Sequence, residues 1–279
     1  MNTYKNKNFP YERALYAEDG AVLSGCSFSG EEDGESALKE CRNITAENCT
    51  FDLRYPFWHI KGAHITGSEM SENCRAAIWY GSDVTVTASR LHGIKALREC
   101  ERVRLFDCDI ISPEFGWKSS DITVGSCKLT GEYPFLLARG IKADKLRLTG
   151  KYSFQYIEDS EFDSCDFDTK DAFWHAKNVT VRNSVIKGEY FSWYSENLTL
   201  INCRISGTQP LCYCKGLRLI NCELEDADFA FEYSQVEADI TGHVISVKNP
   251  LSGHITADSI GEIILEDSIY DCNCKIETR

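Results

Sequence analysis

A nineteen-residue repeat limits what this chain can fold into. Residues 127–135 read CKLTGEYPF and residues 146–154 read LRLTGKYSF, an offset of 146 − 127 = 19. Such a period is typical of a repeat protein, in which each unit packs only on its neighbours. Steps of nineteen from Ile65 reach a nearly uniform apolar series: Val84, Val103, Ile122, Ile141, Ser160, Val179, Leu198, Leu217 and Val236.

Each repeat opens with alternating apolar and polar residues, as in NVTVRNSVI at residues 178–186. That alternation is typical of a half-buried strand. Ankyrin and tetratricopeptide units have about 33–34 residues and are therefore too long. The sequence predicts an all-β fold, a single-stranded right-handed parallel β-helix (a solenoid) of about thirteen rungs with about 19 residues per rung. A leucine-rich repeat is the alternative, but the period is slightly short for it and the leading leucine of its consensus is missing.

The repeat runs through most of the chain, so we expect one solenoid with modified ends. Residues 1–20 are predicted to form an N-terminal cap, residues 21–254 the β-helix, and residues 255–279 an irregular last rung and tail. Residues 29–36 (SGEEDGES) predict a polar excursion from the first rung. The interval from Ile44 to Ile65 is 65 − 44 = 21, which predicts two extra residues in that rung.

Composition narrows the functional classes. The net charge of −13 disfavours nucleic acid as a partner, because binding it requires a basic surface. No apolar run is long enough to predict a membrane span, and the first residues lack the apolar core of a signal peptide, so we expect a cytoplasmic protein with no membrane partner. The fourteen cysteines recur largely in one column and are expected to be buried and reduced. Their spacing does not suit zinc, and we expect no metal or cofactor.

The third strand of each rung has a residue pattern that core packing alone does not explain. All five tryptophans share one column: Trp58, Trp79, Trp117, Trp174 and Trp193. The next column is rich in aromatic, histidine and charged residues: His59, Tyr80, Glu99, Lys118, Tyr156, His175, Tyr194, Tyr213 and Glu232. The pattern leaves open which column points inward. It is compatible with tryptophans filling a wide corner of the core and with an exposed aromatic strip.

An exposed strip of this kind would suit a saccharide or another extended ligand, because aromatic rings stack on apolar sugar faces. A group of charged residues on two adjacent rungs, from Lys95 to Lys118, predicts either salt-linked pairs or a polar ligand cradle. The candidate ligand-binding residues are His59, Trp79, Lys95, Arg98, Glu99, Glu114, Trp117, Tyr156, Trp174, Trp193 and Tyr194.

Asp168, Asp171 and His175 are the candidates for catalysis. The paired carboxylates of a glycoside hydrolase lie about 5–9.5 Å apart, and the two aspartates straddle a corner where they could approach each other. Two hypotheses follow. The first is a non-catalytic binding or scaffold protein that uses the third-strand face. The second is a carbohydrate-active enzyme, of hydrolase, lyase or isomerase type, with its site on the same face. If His175 points outward, His175→Ala should leave the melting temperature unchanged.

Several stretches carry a family resemblance: ESALKEC (35–41), LRYPFWH (53–59), SPEFGW (112–117), FDTKDAFWHAKNVTV (167–181) and GTQPLCYC (207–214). They resemble a bacterial family of unknown function in the pectin-lyase-like superfamily. The resemblance covers nearly the whole chain and implies a parallel β-helix without an established activity. The Asp-Asp pair and Gly-His-Gly of the polygalacturonases are missing, as is an evident calcium-binding carboxylate group of the lyases. Pectinolytic activity is therefore not expected.

Overall fold

The fold is a parallel β-helix, seen here in a computed structural model that describes residues 2–30 and 35–279. Along these residues the chain makes about 14 turns, about 19 residues apart, with no helix. The predicted fold is thereby confirmed. The centre of the predicted polar excursion, residues 31–34, lies outside the described residues. The chain divides into two compact units, Met1–Lys142 and Ala143–Arg279.

The first unit consists of short strands, each paired in parallel with its equivalent one turn away. Even the segment predicted as a cap contributes β1 and β2, which pair with β3 and β4. The strands are β1 (Thr3–Lys5), β2 (Asn8–Phe9), β3 (Val22–Ser24), β4 (Ser27–Ser29), β5 (Arg42–Glu47), β6 (Thr50–Asp52), β7 (Phe57–Trp58), β8 (Lys61–Thr66), β9 (Glu69–Met70), β10 (Ile78–Trp79), β11 (Ser82–Thr87), β12 (Arg90–His92), β13 (Leu97–Arg98), β14 (Glu101–Phe106), β15 (Asp109–Ile111), β16 (Ser120–Gly125) and β17 (Lys128–Glu132).

The six-residue strands form the first side of each turn, and their alternation decides what is buried. In β11, Val84 and Val86 are fully buried while Thr85 between them faces outward. Val84 lies opposite Val103 of β14, so like residues stack on like at about 4.8 Å. Burying each such side chain stabilises the fold by about 1.5–3 kcal/mol, which explains why the apolar column is the strongest signal in the sequence.

The position of the two extra residues differs from the sequence prediction. Ile65 lies opposite Ala46 (65 − 46 = 19) and opposite Val86 (86 − 65 = 21). The insertion falls between β9 and β10, because β6 pairs with β9 at a step of 70 − 51 = 19 whereas β7 pairs with β10 at 78 − 57 = 21. The prediction that Ile44 is the equivalent of Ile65 one turn earlier was wrong. Ile44 and Ala46 are both buried on one face of β5, so either residue fits the apolar repeat.

Left-handed backbone at the third corner explains why the orientation of the two aromatic columns was ambiguous. His59 and Tyr80 have φ of 57° and 51°. A residue in this conformation interrupts the strict in-and-out alternation of a strand. Trp79 and Tyr80 therefore both reach the surface, the tryptophan half-buried and the tyrosine 45% exposed. Neither column forms the core.

The second unit repeats the same coil and then changes. The division between the units falls within β18 (Arg139–Asp144). From β26 onward the register shifts, and Val236 lies opposite Gly253, a step of 253 − 236 = 17. The remaining strands are β19 (Arg147–Lys151), β20 (Glu158–Asp163), β21 (Asp166–Lys170), β22 (Lys177–Arg182), β23 (Val185–Lys187), β24 (Glu196–Ile201), β25 (Arg204–Ser206), β26 (Leu217–Glu225), β27 (Gln235–Lys248), β28 (Ser252–Ile264) and β29 (Lys275–Thr278).

Phenylalanine, not tryptophan, fills the core of the second unit. Phe154, Phe162, Phe173 and Phe191 are almost completely buried. Their ring centroids lie 4.9 Å apart for Phe154 and Phe162, and 5.6 Å apart for Phe173 and Phe191. The interpretation in which tryptophans fill a wide corner of the core therefore does not hold in this unit.

All fourteen cysteines are free thiols, and only Cys272 and Cys274 are not fully buried. Within the column, the backbone N–H of Cys108 donates to Sγ of Cys127 at 3.4 Å. Burial raises the pKa of the Cys100 thiol to about 12. A buried thiol with such a pKa stays protonated and acts as a small packing residue.

Candidate functional site

The third-strand face of the first unit carries a stack of aromatic rings. The Trp58 and Trp79 rings are parallel to within 11°, with centroids 5.2 Å apart. Tyr80 stacks on Trp79 at 5.2 Å. The ammonium group of Lys39 lies 3.6 Å from the Trp58 centroid, and the Arg98 guanidinium lies 5.7 Å from that of Trp79. These cation–π contacts and ring stacks cover much of the aromatic surface that a ligand would otherwise use.

The charged candidates beside this stack are bonded to one another. Lys95 and Glu114 form an ion pair of 3.1 Å, and Nε of Arg98 donates to Glu99 at 2.8 Å. Burial would raise the pKa of Glu99, but hydrogen bonds from Arg98 and Tyr80 outweigh it and the pKa is lowered. The residues thus form the salt-linked pairs that the sequence left as one of two options.

His59 and Trp117 are held by protein partners as well. Nδ1 of His59 lies 2.7 Å from Oε1 of Glu40. The indole N–H of Trp117 donates at 2.8 Å to the backbone carbonyl of Tyr133, sixteen residues further along the chain. Both side chains are therefore positioned on the surface, with one polar atom already satisfied.

In the second unit, Tyr156, His175, Tyr194 and Tyr213 form a continuous stack, here called the tyrosine–histidine ladder. Successive centroids lie 4.7, 5.0 and 4.8 Å apart, with interplanar angles of 9°, 9° and 15°. All four residues have φ between 56° and 60°. Tyr156 is 47% and Tyr194 43% exposed. Because neighbouring rings cover the faces between them, the interior of the ladder presents ring edges and polar groups to solvent.

His175 sits between two tyrosine rings in this ladder. Burial lowers the pKa of its imidazole, Lys177 lowers it further, and Glu196 opposes the shift only in part. Its ring is therefore mainly neutral at pH 7. Among the described residues, no side chain forms a hydrogen bond or ion pair with the imidazole.

Trp174 and Trp193 lie beside the ladder and are anchored in the same way as Trp117. Their rings stack at 5.4 Å and are parallel to within 4°. Their indole N–H groups donate to the backbone carbonyls of Tyr190 at 2.7 Å and Gln209 at 2.8 Å. Each tryptophan therefore fastens one turn to the corner of the next, which gives it a structural role whatever else the face does.

The three catalytic candidates lie in different environments. Asp168 is exposed on β21, opposite Thr149 and Lys187 in the neighbouring turns. Asp171 is only 6% exposed and occupies a left-handed corner, and burial raises the pKa of its carboxyl. Within the parts of the chain that the structure describes, no hydrogen bond or ion pair links Asp168, Asp171 or His175 to another of the three.

Neither a metal-binding cluster nor a membrane-spanning helix occurs among the described residues. Residues 2–30 and 35–279 contain no group of three or more His, Cys, Asp or Glu side chains that could hold a metal ion. The same residues include no helix whose length and apolarity would let it span a bilayer.

A family model described as a protein of unknown function (DUF3737) matches residues 2–277. The chain belongs to this family. Comparison with curated proteins finds no match. The family assignment thus agrees with the fold and brings no activity with it.

Solved structures similar to this family member have differing roles. The A-module of mannuronan C-5 epimerase AlgE4 from Azotobacter vinelandii is 11% identical, with 99% of this chain and 88% of that chain covered and a TM-score of 0.33. The surface protein and adhesin PfbA of Streptococcus pneumoniae is 9% identical, with 99% and 90% covered and a TM-score of 0.38. QnrB1, a plasmid-mediated fluoroquinolone resistance protein, is 11% identical, with 81% and 92% covered and a TM-score of 0.22. At these values no function passes to this chain.

The candidate ligand-binding residues predicted from sequence leave out some members of the third-strand face. Tyr213 completes the ladder, and the step from Tyr194 (213 − 194 = 19) already placed it in that column. Tyr190 packs edge-on against Trp193 at 5.4 Å, and Tyr55 packs against Trp58 at 5.9 Å. In both cases a tyrosine precedes the tryptophan by three residues, and this spacing is the signal that could have revealed them.

Proposed function

We propose that this protein is a non-catalytic binding protein that holds an extended polar ligand, with a saccharide as the favoured class, along the tyrosine–histidine ladder. One observation carries the proposal: four rings repeat at 4.7–5.0 Å, with Tyr156 and Tyr194 nearly half exposed. A ligand that presents hydroxyl groups at regular intervals meets a similar ring edge at each turn.

The geometry changes the expected mode of binding. Stacking of sugars on ring faces is disfavoured, because the faces inside the ladder are covered by the neighbouring rings. A tyrosine hydroxyl both donates and accepts a hydrogen bond, and a neutral imidazole offers one donor and one acceptor. Recognition would therefore rest on hydrogen bonds from the ladder to ligand hydroxyl groups, which gives modest affinity per unit and favours long ligands.

The arrangement of carboxyl groups favours binding over catalysis. A glycoside hydrolase places two carboxyl groups on either side of the scissile bond, whereas Asp168 is exposed and Asp171 is buried at a corner. The raised pKa of Asp171 is the one feature that would suit a general acid. A carbohydrate-active enzyme on the same face is therefore the second candidate, and it predicts turnover of some polysaccharide.

A glycan array and a polysaccharide-turnover screen on the purified protein test this proposal. Tyr194→Phe removes one hydroxyl group from the ladder while keeping its ring. It should weaken binding of the array hit by about 2- to 12-fold, the value of one hydrogen bond of 0.5–1.5 kcal/mol. Tyr16→Phe is the matched control, because Tyr16 is 52% exposed and outside the ladder.

Three outcomes would count against the proposal. The array could give no hit, Tyr194→Phe could bind as tightly as the unaltered protein, or a polysaccharide could be converted to product. The last result would favour the enzyme.

A further inference from the structure

A groove of about 470 Å³ crosses the outward side of the first unit, on strands β8, β11, β14, β16 and β18. This surface is separate from the third-strand face. Parallel register places His64 opposite Thr85, Thr85 opposite Arg104, and Arg104 opposite Thr123. Lys142 lines the same groove one period later (142 − 123 = 19). These five residues form one of the two columns of outward residues that line the groove.

Basic and hydroxyl side chains alternate along this column. His64, Arg104 and Lys142 lie two turns apart, about 10 Å at the usual strand spacing, with a threonine between each pair. All three basic side chains are exposed. None of them forms a hydrogen bond or ion pair with another residue of the described parts of the chain.

The neighbouring column of the same groove contains an arginine, Arg102, whose charge is neutralised by acidic side chains. Arg102 binds Asp83 through two hydrogen bonds, of 2.7 and 3.0 Å, and Glu101 at 2.8 Å. Asp121, a further lining residue, is exposed and adds negative charge. The groove is therefore not uniformly basic. Its available positive charge is confined to the column and is sparse.

We propose that this groove binds a linear acidic polysaccharide that carries one carboxylate for about every 10 Å of its length. Each carboxylate would meet His64, Arg104 or Lys142, and an arginine can bind a carboxylate through two parallel hydrogen bonds. The intervening sugar hydroxyls would meet Thr85 and Thr123.

Other polyanions fit the spacing less well. A nucleic acid strand carries one charge about every 3.4 Å, so most of its phosphates would face a protein of net charge −13 without a cation opposite. An extended peptide presents side chains on one side about every 6.6–6.8 Å, which is out of step with the charged groups of Arg104 and Lys142, two turns or about 10 Å apart.

Binding of four probes by isothermal titration calorimetry in 50 mM NaCl tests the proposal. Hyaluronan oligosaccharides carry one carboxylate per disaccharide, heparin is densely charged, oligothymidylate is a nucleic acid and chitohexaose is neutral. We expect hyaluronan to bind, chitohexaose not to bind, and heparin and oligothymidylate to bind more weakly than hyaluronan. Arg104→Gln and Lys142→Gln should each weaken hyaluronan binding by at least about fivefold.

Arg90→Gln is the matched control, because Arg90 is an exposed strand arginine of the same unit outside this groove. It should bind hyaluronan as tightly as the unaltered protein, and so should Tyr194→Phe, which separates this site from the ladder. The proposal is overturned if hyaluronan does not bind, if the Arg104 and Lys142 variants bind it normally, or if heparin or oligothymidylate binds more tightly.

Discussion

Removing the imidazole of His175 should destabilise the second unit locally. The ring lies 4.7 Å from Tyr156 and 5.0 Å from Tyr194, and is parallel to both within 9°. An aromatic pair contributes about 0.5–1.5 kcal/mol beyond buried area, so the loss of two pairs should cost about 1–3 kcal/mol. This replaces the expectation from sequence that His175→Ala leaves the melting temperature unchanged. That expectation assumed that an outward histidine contributes little to folding.

Two further variants separate the ring from the backbone. His175→Tyr keeps both stacking contacts, as tyrosine does at the equivalent positions 156, 194 and 213, and should stay within about 0.5 kcal/mol of the unaltered protein. His175→Asn removes the ring but suits the left-handed backbone of φ 56° at this position. It should therefore lose about as much stability as the alanine variant.

Native-state hydrogen exchange is the appropriate assay, because it reports opening at individual turns. The amide of His175 donates to the carbonyl of Trp193 at 2.9 Å, and the amide of Tyr156 to that of Trp174 at 2.8 Å. The free energy of opening at both amides should fall by about 1–3 kcal/mol in His175→Ala. A fall below about 0.5 kcal/mol, or an equal fall in His175→Tyr, would refute the reasoning from the stack.

Other predictions concern single positions. Burial raises the pKa of the Asp171 carboxyl, so its charged form destabilises the folded protein at neutral pH. Asp171→Asn should therefore increase the free energy of unfolding at pH 7. This gain should vanish below about pH 4, where the carboxyl is protonated in both the folded and the unfolded protein. In Gly207→Ala the added methyl group would overlap the carbonyl oxygen of Gly188. Gly20→Ala is the control, because Gly20 also has a positive φ but has free space around an added methyl group. Chemical denaturation should show that Gly207→Ala lowers the free energy of unfolding by about 1–3 kcal/mol more than Gly20→Ala does. Thiol titration without reductant should find all fourteen cysteines after unfolding and only the two near the C-terminus in the native protein.

The β-helix was predictable from sequence because the apolar packing that produces it is local and repeats at every turn. A buried valine such as Val84 needs an apolar neighbour one turn away, and that need recurs along the chain. The corner was not predictable, because strand alternation fails at residues with left-handed backbone such as Tyr80. Tyrosine rarely adopts this conformation, so residue propensities do not predict a left-handed backbone at this position. Hence the exposure of both aromatic columns had to come from the structure.

The basic column of the groove escaped the sequence analysis for two physical reasons. Its first step, from His64 to Thr85, spans the 21-residue turn, so counting by nineteen breaks the series at its start. Charged side chains on the outward side of a strand are also the ordinary way to keep a sheet soluble, so their presence alone indicates nothing. What distinguishes Arg104 from Arg102 is that its side chain forms no ion pair or hydrogen bond with an acidic residue, which only the three-dimensional structure reveals.

The turn with two additional residues indicates how a chain of this kind changes length during evolution. A one-residue insertion within β11 would exchange buried Val84 for outward-facing Thr85 and turn every later side chain of that strand to the wrong side. The segment between β9 and β10 lies at a corner, where additional residues leave the pairing before and after it intact. We therefore expect homologues to differ by small insertions at corners or by the gain or loss of complete turns, and seldom by single residues within strands.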